Sequence, residues 1–92
     1  MASVTFTTQS GQASNRGQSV LVTLNLTDQA KLSSIAEGDL ATISGSNNVG
    51  YVTNIDTLGC TFQIKPQYPY GTLSSTGNNT ILASGTTITV TT

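Results

Sequence analysis

The chain has 92 residues, enough for one domain, and carries only three cations and four anions, a net charge of −1. Charged residues make up 8% of it, against roughly a quarter in an ordinary soluble domain, so nothing in the charge would recruit a polyanion or an anionic membrane surface. There is no histidine, which excludes Ser-His-Asp and Cys-His catalysis. A single cysteine, Cys60, excludes an internal disulfide framework. No apolar run reaches the length of a spanning helix, and Met1 to Phe6 has neither the basic nor the apolar region of a signal peptide, so synthesis in a reducing cytoplasm is expected.

Residues 3–9 alternate, with Val4 and Phe6 on one face and Thr5 and Thr7 on the other, which predicts a short strand. Residues 10–19 have no apolar period and read as a polar loop or arm. This divides the chain into a strand and arm over 1–19 and a β-domain over 20–92. Residues 20–27 give the cleanest strand: Val20, Val22, Leu24 and Leu26 form one face, with Leu21 an apolar exception on the other. Over 28–38 the period breaks. Asp28 could cap a helical turn carrying Leu32, Ile35 and Ala36 and ended by Gly38, or the segment could be an irregular loop.

Gly38-Asp39 opens a strand with Ala41 and Ile43 on one side and Leu40 and Thr42 on the other, and Val49 to Ile55 is the next, where a slipped period between Val52 and Ile55 predicts a β-bulge. The Gly45–Asn48 cluster between them is a turn. Asp56-Thr57-Leu58-Gly59 is a hairpin turn that puts Gly59 at positive φ. Cys60, Phe62 and Ile64 form the inner face of the next strand, which Pro66 stops. Ile81 to Ala83 and Thr87 to Thr91 supply one or two closing strands. The whole predicts an all-β fold, a small barrel or compact sandwich with extra strands at the termini.

The run Glu37-Gly-Asp-Leu-Ala-Thr-Ile43, then Gly50-Tyr-Val-Thr-Asn-Ile55, then Thr61-Phe-Gln-Ile64 resembles the SH3-like barrel pattern, in particular KOW-type and bacteriophage virion modules. KOW modules bind RNA through basic loops, and Ser46, Asn47 and Asn48 stand where those cations would be, so nucleic-acid binding is not expected. As a whole, the short, Thr/Ser/Asn/Gly-rich and nearly uncharged chain resembles small phage virion proteins, especially head-decoration and tail-associated ones. That resemblance implies a non-enzymatic protein located in the virion. It would cement a head by packing on the major capsid protein or other virion proteins, as a homo-oligomer, with no nucleic acid, membrane, metal or cofactor as partner.

Candidate contacts are Phe6, Arg16, Tyr68 and Tyr70. Tyrosine combines a large ring with a polar tip and is favoured at interfaces. Stacked on sugars, the Tyr68-Pro69-Tyr70 group would instead make the chain a carbohydrate-binding or tail-adaptor module. Cys60, beside Phe62 on an apolar face, reads as a buried thiol and not a nucleophile. Glu37 and Asp39 read as solvated turn residues. With Asp56 they match no calcium loop.

Overall fold

A computed structural model describes residues 2–12, 19–44, 49–67, 81–82 and 84–92. The elements are β1 (Ser3–Gln12), β2 (Val20–Leu24), a 3-10 helix (Leu26–Ser34), β3 (Leu40–Ile43), β4 (Val49–Asp56), β5 (Thr61–Pro66), β6 (Ile81–Leu82) and β7 (Thr87–Thr91). Six of these strands close into an antiparallel barrel, in the order β1-β2-β5-β4-β3-β7 and back to β1. The two residues of β6 pair with Gly11 and Gln12 outside this ring.

Alternation builds the barrel. Val20, Val22 and Leu24 of β2, Ala41 and Ile43 of β3, Phe62 and Ile64 of β5, and Ile88 and Val90 of β7 all point inward and are buried. Val52, Cys60, Leu32 and Ile35 complete one continuous core. Antiparallel strands with one dry and one wet face produce this pattern.

Closure depends on β1. Its residues Ser3 to Thr7 pair with β7, from Ser3 opposite Thr91 to Thr7 opposite Thr87. Beyond Thr8 it pairs with β2 instead, with a register shift between Thr8 and Ser10. Thr8 is the pivot. Its amide donates to the Thr86 carbonyl at 2.9 Å, its carbonyl accepts from Gly85 at 2.8 Å, and its hydroxyl accepts from the Thr86 amide at 3.0 Å. Such bulges bend a strand from one neighbour toward another.

Several sequence expectations are corrected here. Phe6 is not a surface contact. It is fully buried, its ring edge-on to Phe62 with centroids 5.4 Å apart. The strand of 3–9 is no peripheral addition but a stave of the barrel, and it continues to Gln12. Leu26 leaves the inner face of β2 to open the 3-10 helix and is 76% exposed. Of the helical-turn triplet, Leu32 and Ile35 are buried and Ala36 is exposed. The bulge in β4 stands where the period slips, with the register shifting between Thr53 and Asp56 and Asn54 at φ +50°.

Replacing Phe6 by Ala removes a ring the core cannot refill, so urea denaturation should show a loss of about 3–5 kcal/mol. Leu26→Ser, on the exposed helix start, should stay within about 0.5 kcal/mol of the parent. Equal losses for the two would contradict the assignment of Phe6 to the core.

Candidate functional site

Two regions combine exposed chemistry with defined geometry: the outer face of the sheet, and the junction of the 3-10 helix with β1. The face follows from the registers. One row runs Ser3, Thr91, Leu40, Tyr51, Lys65 across β1, β7, β3, β4 and β5. The next runs Thr5, Thr89, Thr42, Val49. A third begins Thr7, Thr87, and continues to Ser44, whose amide donates to the Thr87 carbonyl at 2.9 Å. All of these side chains are exposed or half-buried, because their neighbours along each strand fill the core. Strands lie about 4.8 Å apart and alternate residues about 6.8 Å apart, so the rows make a band of hydroxyls and methyls roughly 20 Å long around the barrel and roughly 15 Å wide along the strands.

No carboxylate lies in these rows. Lys65 closes one end of the first row, and the Tyr51 hydroxyl beside it accepts a hydrogen bond from Gln67 at 3.3 Å. The acids sit in the helix and the turns. The Asp39 carboxylate accepts from the Ala36 amide at 2.8 Å, and that of Asp56 from the Gly59 amide at 3.0 Å. Glu37 is exposed in the same turn as Gly38. Asp39 and Asp56 therefore shape turns, the ordinary use of Asp at such positions.

The hairpin turn after β4 corrects one expectation. Cys60, not Gly59, has the left-handed conformation, at φ +56°. Gly59 instead makes room for a side chain: a Cβ there would lie 2.5 Å from an Asp56 carboxylate oxygen, which would have to move aside. The Cys60 thiol is buried and directed at the Asn25 carbonyl, 3.5 Å away. Burial, and then the nearby Asp28 carboxylate, push the thiol above its ordinary pKa, which lowers its thiolate content.

Asp28 is the buried acid of the fold. Its carboxylate accepts the Thr7 amide at 2.7 Å and pairs with Lys31 at 3.0 Å. Lys31 also donates to the Thr5 carbonyl at 2.9 Å, and the Asn25 amide donates to the Thr7 carbonyl at 3.1 Å. The helix and its N-cap thus satisfy Thr7 and the Thr5 carbonyl on the edge of β1 that faces away from β7. The Thr7 hydrogen bond, with help from Lys31 and against the cost of burial, holds the Asp28 carboxyl below its ordinary pKa of 3.8.

Arg16, Tyr68 and Tyr70 lie outside the described residues, as do most of the 10–19 arm and the Gly45–Asn48 turn. The structure therefore brings none of the four candidate contacts together, and of them it places Phe6 alone, in the core. Sequence reasoning missed the Asp28–Lys31 clamp and the rows on the outer face. The spacing of Asp28 and Lys31 is visible in the chain, but their target, β1, lies some twenty residues earlier. Among the described residues no three His, Cys, Asp or Glu side chains converge as a metal would require, and no helix is long and apolar enough to cross a membrane. No family model matches the chain, and no curated protein or solved structure matches it either.

A depressed carboxyl pKa stabilises the fold above the unfolded value and stops doing so as pH falls through the folded one. Denaturation midpoints should therefore drop below pH ~4 in the parent. Asp28→Asn, which keeps an acceptor for Thr7 but cannot titrate, should show a shallower drop. Asp28→Ala strands the Thr7 amide and should cost about 1–3 kcal/mol at neutral pH. An identical acid profile in Asp28→Asn would show that this carboxyl does not govern the acid limb.

Proposed function

We propose that the chain is a non-enzymatic structural protein of a virion, a capsid decoration or cement protein that packs on the major capsid protein of a phage head. The barrel is read as a member of the SH3-like group used in virion modules. The observation that carries this reading is the outer face: registered rows of Thr and Ser with Leu40, Val49 and Tyr51, free of carboxylates and bounded at one end by Lys65.

Such a face suits dense packing on a protein lattice. Hydroxyls form hydrogen bonds at short range without long-range repulsion, and the methyl groups of threonine and the Leu40–Tyr51 pair contribute apolar contact. The band covers on the order of 300 Å² and curves around the barrel, so one partner meets only part of it, well under the ~800 Å² per partner of a stable pairwise complex. A single contact of this size is weak. Many copies anchored on one repeating shell, or joined to one another, attach firmly because each bound neighbour raises the effective concentration of the next. The carbohydrate-binding alternative gains no supporting geometry, since Tyr68 and Tyr70 are outside the described residues.

The test is co-sedimentation with phage heads stripped of decoration, alongside a glycan array. Retention on heads, absence from the array and little change from low to near-molar salt are expected, because an uncharged interface is not screened. Thr42→Lys, at an exposed position in the middle row, should leave the denaturation midpoint within a few degrees and cut retention by about tenfold, since an unpaired buried charge is costly. Glycan capture without head binding would replace this reading with the carbohydrate-binding one.

A further inference from the structure

The polar groups of β1 alternate in direction. The Thr8 amide donates to Thr86 and the Thr92 amide donates to the Ala2 carbonyl, so the even-numbered residues of β1 bond to β7 and the odd ones face away. On that outward edge the Thr7 amide and carbonyl are taken by Asp28 and Asn25, and the Thr5 carbonyl by Lys31. The Ser3 amide, the Ser3 carbonyl and the Thr5 amide have no partner among the described residues. Ala2, Ser3 and Thr5 are exposed. Among the described residues this short length of β1 is an open edge of the barrel, and the half-exposed side chain of Lys31 lies over it. Unpaired edges of this kind template the addition of another strand.

We propose that this edge is a strand-pairing site whose occupant is β1 of a second copy of the chain, running antiparallel about a two-fold axis at Val4. The segment is self-complementary. With Val4 opposite Val4 of the second copy, the Ser3 amide and carbonyl meet the Thr5 carbonyl and amide of that copy, and the two-fold repeats the pair. Four backbone hydrogen bonds form and all three unpaired groups are used on each side. No charged residue occurs from Ala2 to Gln12, so no like charges oppose one another across the seam. Val4, half-buried against the core, supplies apolar contact at the axis. Lys31 leaves the Thr5 carbonyl and keeps its pairing with Asp28. The Asp28 and Asn25 contacts at Thr7 limit the pairing to Ala2–Thr5, so the association is weak and counts where copies are crowded. It does not depend on the identity of any lattice beneath them.

The experiment uses the whole chain alone. Amide spectra and sedimentation velocity are recorded over a concentration series up to the millimolar range, for the parent, Thr5→Pro, Thr5→Val and Lys31→Ala. Proline removes the Thr5 N–H, which the fold does not use, and an edge strand accepts it. The parent should dimerise, with shifts concentrated at Ala2 to Thr5 and Lys31. Thr5→Pro should keep its denaturation midpoint and lose about tenfold or more in association, because the two-fold removes two hydrogen bonds. Thr5→Val, which retains the amide, should dimerise as the parent does. Lys31→Ala, which frees the Thr5 carbonyl, should dimerise several-fold more tightly. A parent that stays monomeric with unchanged Ser3 and Thr5 amides overturns the proposal. So does a folded Thr5→Pro variant that dimerises like the parent, or shifts at Ser3 and Thr5 that arise only when a different protein is added.

Discussion

The closure of the barrel by β1 is the constraint on which the rest of the structure depends. One strand must serve two neighbours that diverge from each other, β7 along its first half and β2 along its second. Thr8, fully buried, holds the change of partner with backbone and hydroxyl bonds to Thr86 and Gly85. Because the strand swings across to β2, the edge of its first half has no strand beside it. The 3-10 helix fills that place. Its Leu32 and Ile35 seal the core, while Asp28 and Lys31 supply by side chain the hydrogen bonds that a seventh stave would have given by backbone. A buried carboxylate is costly unless it is paired and hydrogen-bonded, and here it is both.

The charge-poor composition has a structural counterpart. Among the described residues the outward strand positions are mostly Thr, Ser or Gln, with Leu21, Leu40, Val49 and Tyr51 as apolar exceptions, Lys65 as their cation and Asp56 where β4 turns. Asp39 shapes a turn, Asp28 clamps the helix to β1, and Glu37 is exposed in a turn. Charge is spent on local geometry and kept off the broad face, which leaves that face able to approach another neutral protein surface closely.

Much of this fold was legible in the chain because period-two alternation is a strong signal. Val20, Val22 and Leu24, then Cys60, Phe62 and Ile64, and finally Ile88 and Val90 declare their strands and inner faces without help. The slipped period before Ile55 marks its bulge. Leu26 misleads because it prolongs the β2 alternation by chance into a helix. Phe6 misleads because only Val4 shares its face among polar neighbours, so a lone aromatic in a short Thr-rich strand looks like an anchor. Its burial requires β7, some eighty residues away, and local pattern carries no such information. The left-handed residue of the hairpin is Cys60 and not Gly59, whose lack of a Cβ instead leaves room for the Asp56 carboxylate. The candidate site was less legible than the fold. The outer-face rows exist only once the register of β1, β7, β3 and β4 is known, and register is a long-range property.

The pairing of β1 with β7 also governs how the molecule is made. Ser3 to Thr7 are translated some eighty residues before their partners, Thr87 to Thr91. Contacts so distant in sequence close slowly, since the entropy of the intervening loop is lost before any bond compensates. During synthesis the segment Val4-Thr-Phe-Thr-Thr8 therefore waits, uncharged and rich in strand-forming residues, with Phe6 in water. Nascent copies on one messenger hold such segments near one another, and a strand without its partner pairs with whatever edge it meets first. Lys31 bonds the Thr5 carbonyl on the opposite edge of β1, so the edge meant for β7 stays open until that strand is made.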